Sequence, residues 1–294
     1  MNGQIVRVIS NLYTVKVDDQ LYGCRARGIF RKNNIVPIVG DYVKISVDDN
    51  VITEIMPRRN ELDRPVVANV DVAIIVTSTK KPNLDLKLLD KLISVVLFNG
   101  IEPVICFTKT DLLNDSELEM IDSLKKYYEL IGIKVVINTD TNDIKKIIKN
   151  KICVLAGQTG AGKSSLLNKL DDKLSIKTDE ISEALGRGKH TTRHVELYQI
   201  SDGYVADTPG FSALDLKGMT KEQLRDTFLE FENYDCRFRD CMHHKEKECG
   251  VKEAVNNKLI LQSRYNNYLL FLEEMKGWKL GFLFCQEVMN LMKL

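Results

Sequence analysis

Two short runs in this 294-residue chain have the residue types and spacing to act on one ligand. Gly157-Gln158-Thr159-Gly160-Ala161-Gly162-Lys163-Ser164, followed by Ser165, fits G-x-x-x-x-G-K-[ST]. Glycines there let consecutive backbone N–H groups turn inward around phosphate oxygens. Lys163 adds positive charge at the β and γ phosphates, and the Ser164 hydroxyl can ligate Mg²⁺. Upstream lies Thr108-Lys109-Thr110-Asp111. The Asp111 carboxylate can accept from the guanine ring N–H and amino group together while the Lys109 stem lies along the base. Adenine offers no matching pair of donors.

A third element, Asp207-Thr208-Pro209-Gly210, matches D-x-x-G, with Asp207 holding Mg²⁺ through water and the Gly210 N–H touching the γ phosphate. Between the second and third elements, Gly186 to His194 (GRGKHTTRH) occupies the position of a switch loop. A threonine there can coordinate Mg²⁺ and sense the γ phosphate, and Thr192 is favoured over Thr191. The residue after Gly210 is Phe211, not the Gln that orients water in Ras-like enzymes. His190, and after it His194, are the polar candidates for that task, so Lys163, Thr192 and His190 are the expected catalytic groups. Taken singly, each run has an ordinary reading as a Gly-rich or polar turn. Together they read as a GTP site, and the base-reading run preceding the phosphate loop reverses the order in an ordinary small GTPase. The chain reads as a circularly permuted GTPase with GTP or GDP and Mg²⁺ as ligands.

These loops need strands to carry them. Apolar runs at Val70 to Val76, Ile101 to Phe107, Ile133 to Ile137, Ile152 to Ala156 and Tyr204 to Asp207 alternate with helical stretches at Asp85 to Phe98, Ser116 to Leu130 and Lys163 to Leu170. That alternation predicts a doubly wound α/β sheet with the loops at its strands' carboxyl ends. Before it, period-two alternation through Val6, Val8, Ile9, Tyr13, Val15, Val17, Val43, Ile45 and Val47 predicts a small antiparallel barrel, with Tyr13 and Tyr42 in its core. Arg25, Arg27, Arg31 and Lys32 interleave with Tyr22 and Phe30. This composition suits RNA backbone neutralisation and base stacking, or equally a solvated strand edge.

Near the other end, Cys236-x4-Cys241-x-His243-x5-Cys249 sets four metal donors within fourteen residues. Three Cys and one His fit a closed structural zinc site; redox chemistry or bystander thiols are the alternatives, and His244 is a second candidate ligand. Arg237, Arg239, Lys245 and Lys247 make this loop basic enough to contact RNA.

In these features the chain resembles the small ribosomal subunit-dependent GTPases of bacteria, the ribosome biogenesis GTPase A group. The resemblance rests on TKTD before GQTGAGKS, the RGKHTT segment, DTPGF, the RPVVANVD stretch from Arg64 to Asp71 and the Cys/His cluster, and covers roughly residues 1 to 275. It implies an OB-fold for residues 1–62, a permuted GTPase domain for 63–215 and a helical zinc-binding domain for 216–294. It also implies one Zn²⁺ on Cys236, Cys241, His243 and Cys249, and late maturation of the small (30S) ribosomal subunit with its 16S rRNA, which stimulates hydrolysis. The chain departs from the family after the base-reading run, where Val136-Ile137-Asn138-Thr139-Asp140 replaces a Ser-Ala-type element. It departs again in the apolar tail from Lys279 to Leu294, expected to be a docked amphipathic helix. Two other readings are a permuted GTPase serving the large subunit, and a nucleotide-gated RNA-binding module with little catalysis.

Composition bounds these readings. A formal net charge of +1 means that attraction to nucleic acid must come from local patches. No apolar run approaches the roughly 20 residues that span a bilayer, and the seven cysteines suggest no disulfide framework. A cytoplasmic monomer is expected.

Overall fold

Five strands close the N-terminal barrel: β1 (Asn2–Ile9), β2 (Leu12–Val17), β3 (Gln20–Ala26), β4 (Tyr42–Ser46) and β5 (Val51–Ile55), in the order β1-β2-β3-β5-β4. A short helix, α1 (Gly28–Lys32), follows β3. β3 and β5 run parallel and the other neighbours antiparallel, the closure of an OB-fold. These coordinates are a computed structural model that describes residues 1–32, 35–63, 66–171, 174, 197–206 and 216–275.

Alternation turns Ile5, Tyr13, Val15, Cys24, Val43, Ile45 and Ile52 into the barrel. A bulge between Ile5 and Arg7 breaks it, so Ile5 and Val6 are both buried. Two aromatic expectations are corrected. Tyr42 is 46% exposed, because its neighbour Val43 takes the inner face of β4. Phe30 packs in the barrel core and presents no surface for stacking.

A polar joint ties this barrel to the segment that enters the sheet. Asp41, fully buried, accepts from Arg58 Nε and Nη2 at 2.7 and 2.8 Å and from the Ile38 N–H at 2.8 Å. Asn69 Nδ2 donates to the Gly40 carbonyl at 3.0 Å, and its Oδ1 accepts from the Arg59 N–H. The hairpin of β6 (Glu61–Asp63) and β7 (Val66–Ala68) lies between these arms.

The central sheet has the order β10-β9-β8-β11-β13-β12. β8 (Val72–Ser78), β9 (Glu102–Thr108), β10 (Lys134–Ile137), β11 (Ile152–Ala156) and β13 (Gly203–Ala206) run parallel, and β12 (Leu197–Ile200) is the antiparallel edge. β8 and β11 are buried throughout, as strands covered on both faces must be. α3 (Asp115–Leu130), α4 (Thr141–Ile148) and α5 (Lys163–Leu170) connect them. One core cluster joins Val72, Ile74 and Val76 of β8 to Leu155 of β11 and to Leu166, Leu167 and Leu170 of α5. Gly162 precedes α5, whose first turn opens on Lys163.

The C-terminal elements form a second compact unit, which also includes α2 (Leu86–Phe98), the crossover from β8 to β9. Thr220 begins α6 (Lys221–Asp226) with a capping box, exchanging hydrogen bonds with Gln223. A 3₁₀ turn (Leu229–Asn233), α7 (Gly250–Asn256) and α8 (262–275) follow. Phe228 stacks on Phe231 and both meet Tyr268 edge to face, at centroid separations of 5.0–5.3 Å.

Arg264, 1% exposed, crosses this unit. Its guanidinium donates to both oxygens of Glu230 at 2.7 and 2.9 Å and to Asp90 Oδ1 at 2.7 Å, and lies over the Phe228 ring. Asn267 Nδ2 donates to the other Asp90 oxygen at 2.6 Å. Two carboxylates this deep are tolerable only because a forked cation and an amide satisfy them. Arg264→Ala, which takes the cation from both, is expected to lower stability by about 3–5 kcal/mol. Equilibrium urea unfolding checks this, and a loss below about 1 kcal/mol would contradict the account.

Candidate functional site

Gly157 follows β11 directly and faces β8. Its φ is +130°, and a Cβ built on it would stand 2.1 Å from the Val76 carbonyl oxygen, so any side chain there must push two buried strands apart. Gly160, at φ +77°, has space: the nearest atom to a Cβ is Pro82 Cδ at 3.7 Å. Lys163 Nζ folds back over its own loop, donating to the Gly157 and Gln158 carbonyls at 2.7 and 2.8 Å. Those carbonyls hold the ammonium above the loop where phosphate charge is expected. Thr159, Gly160 and Ser165 are exposed, Ala161 is buried, and Gly162 and Ser164 are half-buried.

Thr108 ends β9, 1% exposed, and its Oγ1 donates to the Ala161 carbonyl at 2.6 Å. Lys109 takes a left-handed backbone, φ +60°. Its Nζ donates to the Gly160 carbonyl at 2.8 Å and to the Lys81 carbonyl. Asp111 sits in a one-turn 3₁₀ helix, Thr110–Leu112, with its carboxylate exposed. The structure thus brings Thr108, Lys109 and Asp111 to the same sheet edge as Gly157 to Ser165. This is the carboxyl edge, where strand order reverses between β8 and β11 and open α/β sheets bind ligands. The loop after β10 joins it: the Asn138 N–H donates to the Phe107 carbonyl at 2.9 Å, and Thr139 is exposed. His190, Thr191, Thr192, His194, Asp207, Gly210, Phe211 and the apolar tail lie outside the described residues.

Sequence reasoning missed one wall of this edge, the loop after β8, Ser78-Thr79-Lys80-Lys81-Pro82-Asn83. Buried Thr79 donates through its N–H and Oγ1 to the Thr108 carbonyl at 3.1 and 2.9 Å. No motif marks these residues; only the pairing of β8 with β9 brings them to the site.

The Cys/His donors converge separately. One ligand atom from each of Cys236, Cys241, His243 and Cys249 lies within 4.8 Å of all the others. Cys236 Sγ is 3.8 Å from Cys249 Sγ, and His243 Nδ1 is 3.5 and 3.3 Å from those two sulfurs. A zinc tetrahedron with Zn–S of about 2.3 Å and Zn–N of about 2.05 Å has edges of about 3.8 Å between sulfurs and about 3.6 Å between sulfur and nitrogen, so the donor set fits that ion. Burial, with Arg225 nearby, lowers the His243 pKa to about 4, leaving the imidazole neutral as a ligand must be. Burial also pushes the Cys241 thiol up to about 12, so in the absence of a cation it keeps its proton.

The loop is fastened around these donors. The Tyr265 and Tyr268 hydroxyls donate to the His243 and Met242 carbonyls, each at 2.7 Å, and Glu246 accepts from the Met242 and His244 N–H groups. His244 stands outside the four-donor group, with its Nδ1 buried and accepting no hydrogen bond among the described residues.

Gly157→Ala is expected to abolish nucleotide binding or folding, since the obstruction is backbone. Gly160→Ala meets only the left-handed φ, a cost of about 1–2 kcal/mol, and should fold and bind with reduced affinity. Fluorescent GDP titration and thermal melts of both variants check this; equal behaviour would contradict the Gly157–Val76 contact.

The RsgA GTPase family model matches residues 55–217, and the RsgA N-terminal domain model matches residues 2–53. The chain is 48% identical to small ribosomal subunit biogenesis GTPase RsgA 2 of Oceanobacillus iheyensis, covering 94% of this chain and 98% of that protein. It is 46% identical to small ribosomal subunit biogenesis GTPase RsgA of Enterococcus faecalis, covering 94% and 96%. Among solved structures it superposes on YjeQ from Thermotoga maritima with a TM-score of 0.82 and 34% identity, covering 94% and 98%. YloQ, described as a circularly permuted GTPase, gives 0.81 and 38%, covering 94% and 95%. With the Thr108-Lys109-Thr110-Asp111 run ahead of the Gly157–Ser164 loop in the chain and hydrogen-bonded to it at the sheet edge, the chain belongs to the RsgA GTPase family and is a GTP-hydrolysing enzyme of the circularly permuted type.

Proposed function

We propose that this GTPase binds the small (30S) ribosomal subunit, acts in its late maturation, and hydrolyses GTP faster when the subunit is bound. The observation that carries the reading is 46–48% identity over 94% of the chain with relatives named for small-subunit biogenesis. The chain divides by role into 1–62, an RNA-binding barrel; 63–215, the GTPase domain; and 216–294, a zinc-binding domain. Exposed Arg25 and Arg27 on the barrel, and Arg237, Arg239, Lys245 and Lys247 around the Cys/His loop, supply positive charge for 16S rRNA phosphates. The enzyme works as a cytoplasmic monomer; none of the described helices is long and apolar enough to cross a membrane.

In this reading Asp111 accepts from guanine, and Lys109 and Thr108 fix its loop. The backbone N–H groups from Gly157 to Ser165 cradle the phosphates. Lys163 leaves its two carbonyls for the β and γ oxygens. Ser164, Thr192 and, through water, Asp207 would hold Mg²⁺, which would supply neutralisation of phosphate charge, and the Gly210 N–H would meet the γ phosphate. His190 orients the attacking water in place of the Gln that Phe211 displaces. Cys236, Cys241, His243 and Cys249 hold one zinc with every position filled, so its role is to fold the loop.

Steady-state GTP turnover, measured alone and with purified small or large subunits, tests the proposal, with Lys163→Ala as the blank. Stimulation on the order of a hundredfold by small subunits alone is expected, below the roughly 10³–10⁵ that a partner's arginine finger gives other GTPases. A rate indifferent to ribosomes would sink the ribosomal assignment and leave the GTPase.

Metal analysis is expected to find one zinc per chain. Its removal by a strong chelator should lower the melting temperature of the C-terminal unit while GDP affinity holds. Full-length protein free of zinc yet equally stable would refute the metal site.

A further inference from the structure

The loop after β8 grips the base-reading run at both ends. At its start, Thr79 places two hydrogen bonds on the Thr108 carbonyl, at 3.1 Å from the N–H and 2.9 Å from Oγ1. Beyond its end, Lys80 Nζ reaches both carboxylate oxygens of Glu117 at 2.9 and 2.8 Å. Glu117 in turn accepts from the Asn114 N–H at 2.9 Å, and the Glu117 N–H donates to Asn114 Oδ1 at 3.0 Å, which pins the first turn of α3. Between the two grips lie Lys109 and Asp111.

This stretch needs holding. Lys109 adopts φ +60°, a conformation that a lysine left to itself disfavours. Asp111 sits in a single 3₁₀ turn with no buried residue to anchor it. Among the described residues, the hydrogen bonds from Thr108 and Lys109 to the phosphate loop go to the Ala161 and Gly160 carbonyls, and neither reaches Asp111. Recognition of guanine by one carboxylate depends on two donors meeting two acceptors at once, so a small displacement loses the discrimination between bases before it loses binding.

We propose that Thr79 and Lys80 are positioning residues for base specificity, holding Asp111 where it can read both the ring N–H and the amino group of guanine. The inference rests on the proposed guanine role of Asp111. It makes no demand on the phosphate contacts, which come from the other side of the site.

The test is the ratio of affinities for GDP and inosine diphosphate, which lacks the amino group, measured by calorimetry on full-length protein. Thr79→Val is near-isosteric and leaves the Thr79 N–H on the Thr108 carbonyl, so that oxygen is not orphaned. Lys80→Met keeps the stem and removes the charge. The Thr79→Val/Lys80→Met pair is expected to narrow the preference for GDP by about tenfold, each change contributing roughly a hydrogen bond's share, while Thr79→Ser keeps the parent ratio. A ratio unchanged in the pair overturns the proposal, whether both affinities fall together, as a purely structural role requires, or neither moves. Asp111→Asn is the separate arm: if it binds GDP as the parent does, the guanine reading itself fails.

Discussion

The hydrogen bond from Thr108 Oγ1 to the Ala161 carbonyl joins residues 53 positions apart and makes the base-reading and phosphate loops one piece. A nucleotide spans a fixed distance between base and phosphates, so the two loops must keep a fixed separation whatever the order of the chain. Permutation moves the termini and leaves this constraint untouched. It is met by register: Ser78 pairs with Thr108, and Ala156 with Ile75, so β8 and β9 end level and Gly157 emerges against Val76. Only a residue without a Cβ can pass there, which makes Gly157 a requirement of sheet packing.

The barrel is attached by different physics. Around the Gly40 turn, hydrogen bonds of Asp41, Arg58 and Asn69 fix it in place, beside the buried apolar pair Val39 and Val67. Below it, Asp71 accepts from Arg59 and from the Ile152 N–H, the first residue of β11. Directional hydrogen bonds fix an orientation that a greasy contact would leave adjustable.

Much of this was legible in the residues. β11 and α5 begin and end where their apolar runs and glycines predict, and the Cys/His spacing brings its four donors together. β8 starts two residues later than its hydrophobicity suggests, because buried Val70 pairs its N–H with the Asn60 side chain and not with a strand. α4 went unread although Ile144, Ile147 and Ile148 carry helical spacing in a short, charged segment. Thr79, Tyr265 and Tyr268 were illegible for a common reason. Each acts through hydrogen bonds to a backbone carbonyl far away in the chain, Thr108, His243 and Met242 respectively, and such contacts leave no period. Tyr42 was misassigned against its own alternation, since Val43 and Ile45 take the inner face of β4, and Phe30 lies in the short helix α1, where β-alternation does not apply.

Arg264 carries a consequence for how the molecule can be inherited. One of its two carboxylate partners, Asp90, lies 174 positions earlier, on the crossover between two strands of the sheet. The C-terminal unit is therefore completed by a helix it does not encode. Shuffling by recombination, which moves contiguous segments, would deliver Arg264 and Glu230 to a new host without Asp90 and leave Asp90 behind without its cation. The zinc-loop segment and the sheet are consequently bound to travel together through evolution, as a single transmissible block, whatever boundary their roles suggest.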